Sequence, residues 1–174
     1  ISHVELGGQR SLPVVGVMGS GQSADQERCR SLGAWLAEQN VHLLTGGGAG
    51  TMSAVSEGFA SVTNRVGLVL GILPATEDGS VHSPPGYPNP FVELAIRTHL
   101  PLSGPRGTDL ASRNHINVLT SDVVVALPGS LGTRSEVVLA LRYGTPVVAY
   151  VHDRGEIPEL PETVPVVHDL DTLG

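Results

Sequence analysis

The 174-residue chain contains no lysine, so that its ten Lys-or-Arg positions are all arginine. That absence removes whole chemistries. A pyridoxal-phosphate enzyme needs a lysine amine for its Schiff base, and a Walker A loop needs one on the β/γ-phosphates, so neither mechanism can run on this sequence. Cysteine is almost as scarce: Cys29 stands alone, which excludes an internal disulfide and any multi-cysteine zinc site. His42, His82, His99, His115, His152 and His168 show no paired spacing of the kind that builds a metal site on one helix, and no metal is expected. Aromatic residues make up 3% of the chain, which leaves Val, Leu, Ile and Ala, the usual filling of parallel sheets, to build the core. There is no apolar stretch long enough to span a bilayer and no signal-peptide pattern, so the expected compartment is the cytoplasm. Basic residues are outnumbered: the net charge of -7 repels polyanions, which argues against nucleic acid or an anionic membrane as a partner. A small anion in a local pocket is compatible with that field.

What the sequence does have is glycine in patterned places. Val123 to Leu127 is an apolar run that leads directly into Pro128-Gly129-Ser130-Leu131-Gly132-Thr133-Arg134-Ser135-Glu136, followed by the apolar-periodic stretch Val137 to Leu141. Strand, glycine turn and helix N-terminus in that order suit an anionic group. The same arrangement occurs earlier, where Val41 to Leu44 runs into Thr45-Gly46-Gly47-Gly48-Ala49-Gly50-Thr51 and then into Met52, Val55 and Phe59 at helical spacing. Gly46, Gly47 and Gly48 are read as bare amides ahead of a helix dipole, and two such turns in one short chain suggest one shared phosphate site. A third turn, Gly19-Ser20-Gly21-Gln22-Ser23-Ala24, matches the dinucleotide fingerprint, but the second strand ends in Thr45-Gly46-Gly47 where that reading needs an acidic residue for the ribose.

Between these turns, strands and helices alternate. Pro13 to Met18 is read as the first strand after a flexible segment over 1–12, and Ser23-Ala24-Asp25-Gln26 as a capping box opening a helix. Cys29, Leu32, Gly33 and Leu36 lie on one face of that helix, and Asn40 stops it. Val66 to Leu73 and Val92 to Thr98 are further strands, with Pro74 to Pro90 a loop over the site. A polar helix is expected from Thr108 to Thr120, carrying Arg113, Asn114, His115 and Asn117. Asp122 to Leu127 is a strand, Thr133 to Tyr143 a helix ended by Gly144, Pro146 to Val151 a strand, and Val164 to Val167 a short one. The expected architecture is a single α/β domain over 13–174, a doubly wound parallel sheet with helices on both faces and ligands at the carboxyl edge of the strands.

Thr45 to Val55 and Pro128 to Glu136 resemble the TGGG-x-G-x-M and PGG-x-GT-x-x-E motifs of the LOG phosphoribohydrolases, which often carry a lysine-decarboxylase-like label that a lysine-free chain cannot honour. Ser112 to Val124 looks even more like the molybdenum cofactor carrier proteins, relatives with the same Rossmann-like fold, and the resemblance spans roughly Pro13 to Val151. It implies a carrier that binds a phosphorylated pterin (the molybdenum cofactor) or a nucleotide. The alternative it implies is a hydrolase that cleaves a nucleoside 5'-monophosphate between base and ribose; a nucleotide-sensing module is a third reading. In the hydrolase, Arg113 and Glu136 would act together, Glu136 on a water or the ribose hydroxyls and Arg113 paired with Glu136 and the substrate. Against that stands a bland account in which Thr133 and Glu136 form a capping box. The phosphate would lie against Gly19, Ser20, Gly21, Gly46, Gly47, Gly48, Thr51, Asn114, Gly129, Ser130, Gly132 and Thr133. Two positions depart from the LOG pattern: Ser130 replaces the second glycine of PGG, and Asn114 the lysine of an Arg-Lys pair. The resemblance also implies a homodimer or homotetramer.

Overall fold

A computed structural model of the chain describes residues 12–22, 24–78, 80 and 82–173. Seven parallel strands form one sheet: β1 (Val14–Met18), β2 (His42–Thr45), β3 (Val69–Leu73), β4 (Leu94–Arg97), β5 (Val123–Ala126), β6 (Val147–Tyr150) and β7 (Val166–Val167). Their spatial order is β4-β3-β2-β1-β5-β6-β7. The chain works outward from β1 through β4, then returns to lay β5 on the other side of β1, with Val15 opposite Val123 and Met18 opposite Ala126. The carboxyl ends of β1 and β5 therefore flank the point where the strand order reverses, where open α/β sheets form a crevice.

Four helices cover the sheet: α1 (Gln26–Glu38), α2 (Thr51–Ala60), α3 (Asn114–Thr120) and α4 (Leu131–Tyr143). The alternating faces of each strand point into separate cores, of which two position the site. Val15 and Val17 point with Leu43 and Val125 towards Leu32 and Leu36 of α1 and Val55 and Phe59 of α2. Met18, Leu44, Ile72 and Val124 point the other way, to Val118 of α3 and Leu139 of α4. Aliphatic residues dominate both, as the shortage of aromatics required. α1 and α2 approach closely because Gly33 faces α2 backbone: a Cβ there would lie 2.7 Å from the Phe59 amide nitrogen and closer still to the Val55 carbonyl oxygen.

Several boundaries differ from the sequence reading. Segment 1–12, apart from Leu12, and Ser23 lie outside the described residues. The first helix is capped by Asp25, whose Oδ1 accepts from the Arg28 amide at 3.1 Å, so the cap sits two residues later than the proposed box. Asn40 ends that region in the left-handed conformation, φ 56°, and Gly144 does the same for α4 at φ 70°. The polar helix begins at Asn114, not Thr108. Upstream of it, the Leu102 amide donates to the Ala111 carbonyl and the Leu102 carbonyl accepts from the Arg113 amide, and those bridges keep 108–112 out of the helix. β4 is shorter than Val92 to Thr98 and exposed along its whole length, as an edge strand covered by no helix.

Candidate active site at the switch point

Three chain turns and one buried helix meet at the carboxyl edge of β1, β2 and β5. They enclose a cavity of about 160 Å³ whose walls include Gly19 and Gly21 after β1, Gly46 after β2, Arg113 and Asn114 before and within α3, and Ser130, Gly132, Thr133 and Glu136 at the start of α4. Residues separated by more than a hundred positions are brought together because β1 lies next to β5. A second, wider hollow of about 920 Å³ adjoins it across Gly21, Gly104 and Ser130, and has Ser20, Thr51 and Gly129 in its walls.

The glycine turns behave differently from one another. After β2 the amides are not bare: Gly47 N–H donates to Thr45 Oγ1 at 3.1 Å and Gly48 N–H to the Met52 sulfur at 3.4 Å. Gly47 has φ 76°, and a Cβ there would lie 2.5 Å from Leu73 Cδ2, while one at Gly48 would lie 2.8 Å from the Tyr87 ring. Tight passage accounts for the glycine at both positions, and neither borders the cavity. Gly46 does border it, and has no side chain because the Arg113 guanidinium fills that space, with Cζ 2.7 Å from where a Cβ would be. Between the other turns, the Ser20 amide donates to the Pro128 carbonyl at 3.1 Å and the Thr51 amide to the Ser20 carbonyl at 2.8 Å, which locks the β1, β2 and β5 loops into one rim. Gly129 N–H is likewise engaged, by the Glu156 carbonyl at 3.0 Å.

The start of α4 is open towards the cavity. It begins at Leu131 with Ser130 as its N-cap, and no side chain caps its amides. Thr133 thus lies inside the first turn and Glu136 further on, so the proposed Thr133–Glu136 capping box does not form. An uncapped first turn presents unpaired N–H groups and the positive end of the helix dipole. Thr133 adds a buried hydroxyl without a hydrogen-bond partner.

The polar face of α3 is buried. Arg113 is 4% exposed, forms no salt bridge among the described residues, and has Nε and Nη1 both buried without partners. Glu136 does not reach it as an ion pair; the carboxylate instead accepts from Asn117 Nδ2 at 3.1 Å. Asn114 Nδ2 donates to Ser135 Oγ at 3.1 Å, tying α3 to α4. His115 is also buried, but as structure: its ring bonds the Tyr143 hydroxyl at 2.6 Å and the Asp109 carbonyl at 3.0 Å, and it does not border the cavity.

Burial pushes the Glu136 carboxyl up to about 7, against smaller opposing effects from the Arg113 charge and the Asn117 hydrogen bond. Folded chains therefore hold a proton on Glu136 between its ordinary pKa of 4.5 and 7 that unfolded chains release. Stability must fall as pH rises through that window, by up to about 3 kcal/mol, and level off above it. Urea unfolding at pH 5 and pH 8 checks this: Glu136→Gln is expected to remove most of the loss, and an equal loss in both proteins would refute it.

Tyr87 and Arg28 are wall residues that carried no signal in the sequence. Tyr87, in the 74–90 loop, borders the cavity, and the loop is fastened over the β2 turn by Asn89, which donates from its backbone to the Gly47 carbonyl at 2.7 Å and from Nδ2 to the Gly48 carbonyl at 2.9 Å. Arg28, on α1, borders the wider hollow. Neither belongs to a motif; both arrive by tertiary packing. Among the described residues, no helix is long and apolar enough to cross a membrane.

Known proteins are similar to this chain. An uncharacterized protein of Archaeoglobus fulgidus is 32% identical over 139 residues, 78% of each chain. The molybdenum cofactor binding protein of Rippkaea orientalis is 32% identical, with a TM-score of 0.72 over 95% of this chain and 94% of that one. The molybdenum cofactor carrier protein of Chlamydomonas reinhardtii is 28% identical, with a TM-score of 0.66 over 91% of each. The resemblance to carrier proteins and the Rossmann-like fold expected from the motifs are both borne out. The model of the SLOG cluster4 family matches residues 12–167, so this chain belongs to the SLOG cluster4 family.

Proposed function

We propose that the protein binds a phosphorylated pterin, the molybdenum cofactor, or a nucleotide at the carboxyl edge of its sheet and releases it unchanged, as a carrier. The observation that carries this reading is Arg113: a buried guanidinium with two orphaned N–H groups in the wall of a cavity is costly unless an anion completes it. The open first turn of α4 and the Thr133 hydroxyl supply further donors to the same space. At about 160 Å³ this inner cavity is smaller than the ~300 Å³ at which pockets for whole organic ligands begin, so it suits an anionic group, with the body of the ligand continuing past Gly21 and Ser130 into the wider hollow. Two structural relatives whose names state molybdenum cofactor binding or carriage support the pterin. In this reading the cofactor is cargo, and Gly19, Ser20, Gly21, Gly46, Asn114, Ser130, Gly132 and Thr133 surround it.

Glu136 favours the second reading, a phosphoribohydrolase. A carboxyl that titrates near 7 in the cavity wall suits a general base acting on water beside a glycosidic bond. One experiment separates the two: incubation with purified molybdenum cofactor, AMP and other nucleoside monophosphates, followed by calorimetry and by chromatography of the products. Binding without turnover is expected. Free base and ribose 5-phosphate, lost in Glu136→Ala, would replace the carrier with the hydrolase, and no binding by any member would remove both. We also propose a homodimer or homotetramer, supported by the apolar side chains that α3 and α4 leave exposed, Leu119, Leu131, Leu141 and Tyr143; size-exclusion chromatography with light scattering reads it directly.

A further inference from the structure

The wider hollow contains a charge that the proposed carrier or hydrolase chemistry does not use. Arg28 sits in the first turn of α1, is 8% exposed, and has its Nη2 buried without a hydrogen-bond partner. Its guanidinium carbon lies 4.1 Å from the centroid of the Tyr150 ring at the end of β6, which holds the planar cation in one orientation. Two carboxylates, Asp25 and Glu156, share the hollow, and neither forms a salt bridge with Arg28. Asp25 Oδ1 takes the Arg28 backbone amide, Glu156 Oε2 takes the His152 amide at 2.8 Å, and Arg28 forms no salt bridge among the described residues. A desolvated cation without an ion-pair partner thus borders a space of about 920 Å³ that shares Gly21, Gly104 and Ser130 with the walls of the inner cavity.

We infer that Arg28 forms a second anion subsite, so that the molecule held here carries two negatively charged groups, one at the start of α4 and one at the far end of its carbon body. The inference rests on the proposed binding of a phosphorylated ligand and narrows its class, from any phosphorylated heterocycle to one with a second anionic group. Loss of both arginines' partners in the free protein gives the site its selectivity: a singly phosphorylated ligand leaves Arg28 buried and unpaired, and a doubly anionic one does not.

Isothermal calorimetry with AMP and with adenosine 3',5'-bisphosphate tests it on the whole protein. Wild type is expected to bind the bisphosphate at least tenfold more tightly than AMP. Arg28→Gln is expected to bind the two ligands alike, and Arg28→Lys, which keeps the charge, to restore part of the preference. A thermal melt of each variant shows whether the loss of the Tyr150 stack has unfolded it; if Arg28→Gln does not fold, the Arg28→Lys affinities and the wild-type preference alone decide the matter. Equal wild-type affinity for the two ligands, or an Arg28→Gln protein that keeps the preference, overturns the second subsite while leaving the first reading in place. Failure of wild type to bind either ligand overturns both.

Discussion

Arg113→Met is expected to abolish anion binding and yet to make the free protein more stable at pH 6. Binding falls because, in the proposed carrier, the guanidinium with its two orphaned nitrogens supplies charged donors to the anion; charged hydrogen bonds in a buried setting are worth about 1.5–3 kcal/mol each, so a loss on the order of 100-fold is the minimum. Stability rises because methionine keeps an apolar stem of similar length and removes an uncompensated buried charge with its unsatisfied donors, a gain of about 1–3 kcal/mol. The pH matters because Arg113 is the group that partly offsets the burial of Glu136. Without it the carboxyl titrates still higher. At pH 6 Glu136 is protonated in either protein and the gain is seen in full; at pH 8 the variant must either bury a bare carboxylate or hold its proton, and the gain shrinks. Chemical denaturation at the two pH values, with calorimetry on AMP, measures both halves. A variant that is less stable at pH 6 and still binds would show that Arg113 is a structural residue.

Gly33→Ala sets two effects of opposite sign against each other. Helix propensity alone favours alanine inside α1 by about 1 kcal/mol. Packing opposes it, since the new methyl would press on the Val55 carbonyl oxygen and lie 2.7 Å from the Phe59 nitrogen, backbone atoms of α2 that cannot rotate away. Overpacking costs about 1–3 kcal/mol, and contact with backbone belongs at the upper end. The net loss is expected to be about 2 kcal/mol, a fall in Tm of roughly 4–8 °C for a domain of this size. A melting temperature above wild type would show that α1 and α2 can separate at little cost. Ligand affinity is expected to stay unchanged, because Gly33 lies on the core face of α1 and borders neither hollow.

These two residues show how far the sequence could be read. Gly33 falls on the same helical face as Cys29, Leu32 and Leu36, so its place against a neighbour follows from a period of 3.6 residues, although the identity of the neighbour does not. Arg113 sits among polar residues, Asn114 and Asn117, and local pattern cannot distinguish a polar face turned to water from one turned to a cavity. Only burial does, and burial here comes from α4 lying alongside α3. The glycine turns show the same division. Their positions after β1, β2 and β5 follow from apolar runs that end in glycine. That Gly47 and Gly48 spend their amides on Thr45 and Met52, whereas α4 keeps its first turn open, depends on side chains reaching back over each loop.

Order along the chain was enough to establish an alternation of strands and helices, an aliphatic core, the impossibility of lysine chemistry and the motifs of the family. These depend on residue type and on spacing over a few positions, where the backbone's own periodicity governs the outcome. The tertiary structure decided that Arg113 is buried without a hydrogen-bond partner for Nε or Nη1, that Tyr87 and Arg28 border the two hollows, and that those hollows share Gly21, Gly104 and Ser130 as walls. Such facts depend on β5 pairing with β1 across more than a hundred residues, a choice made by the packing of two cores on opposite faces of one sheet, which no local stretch of sequence contains.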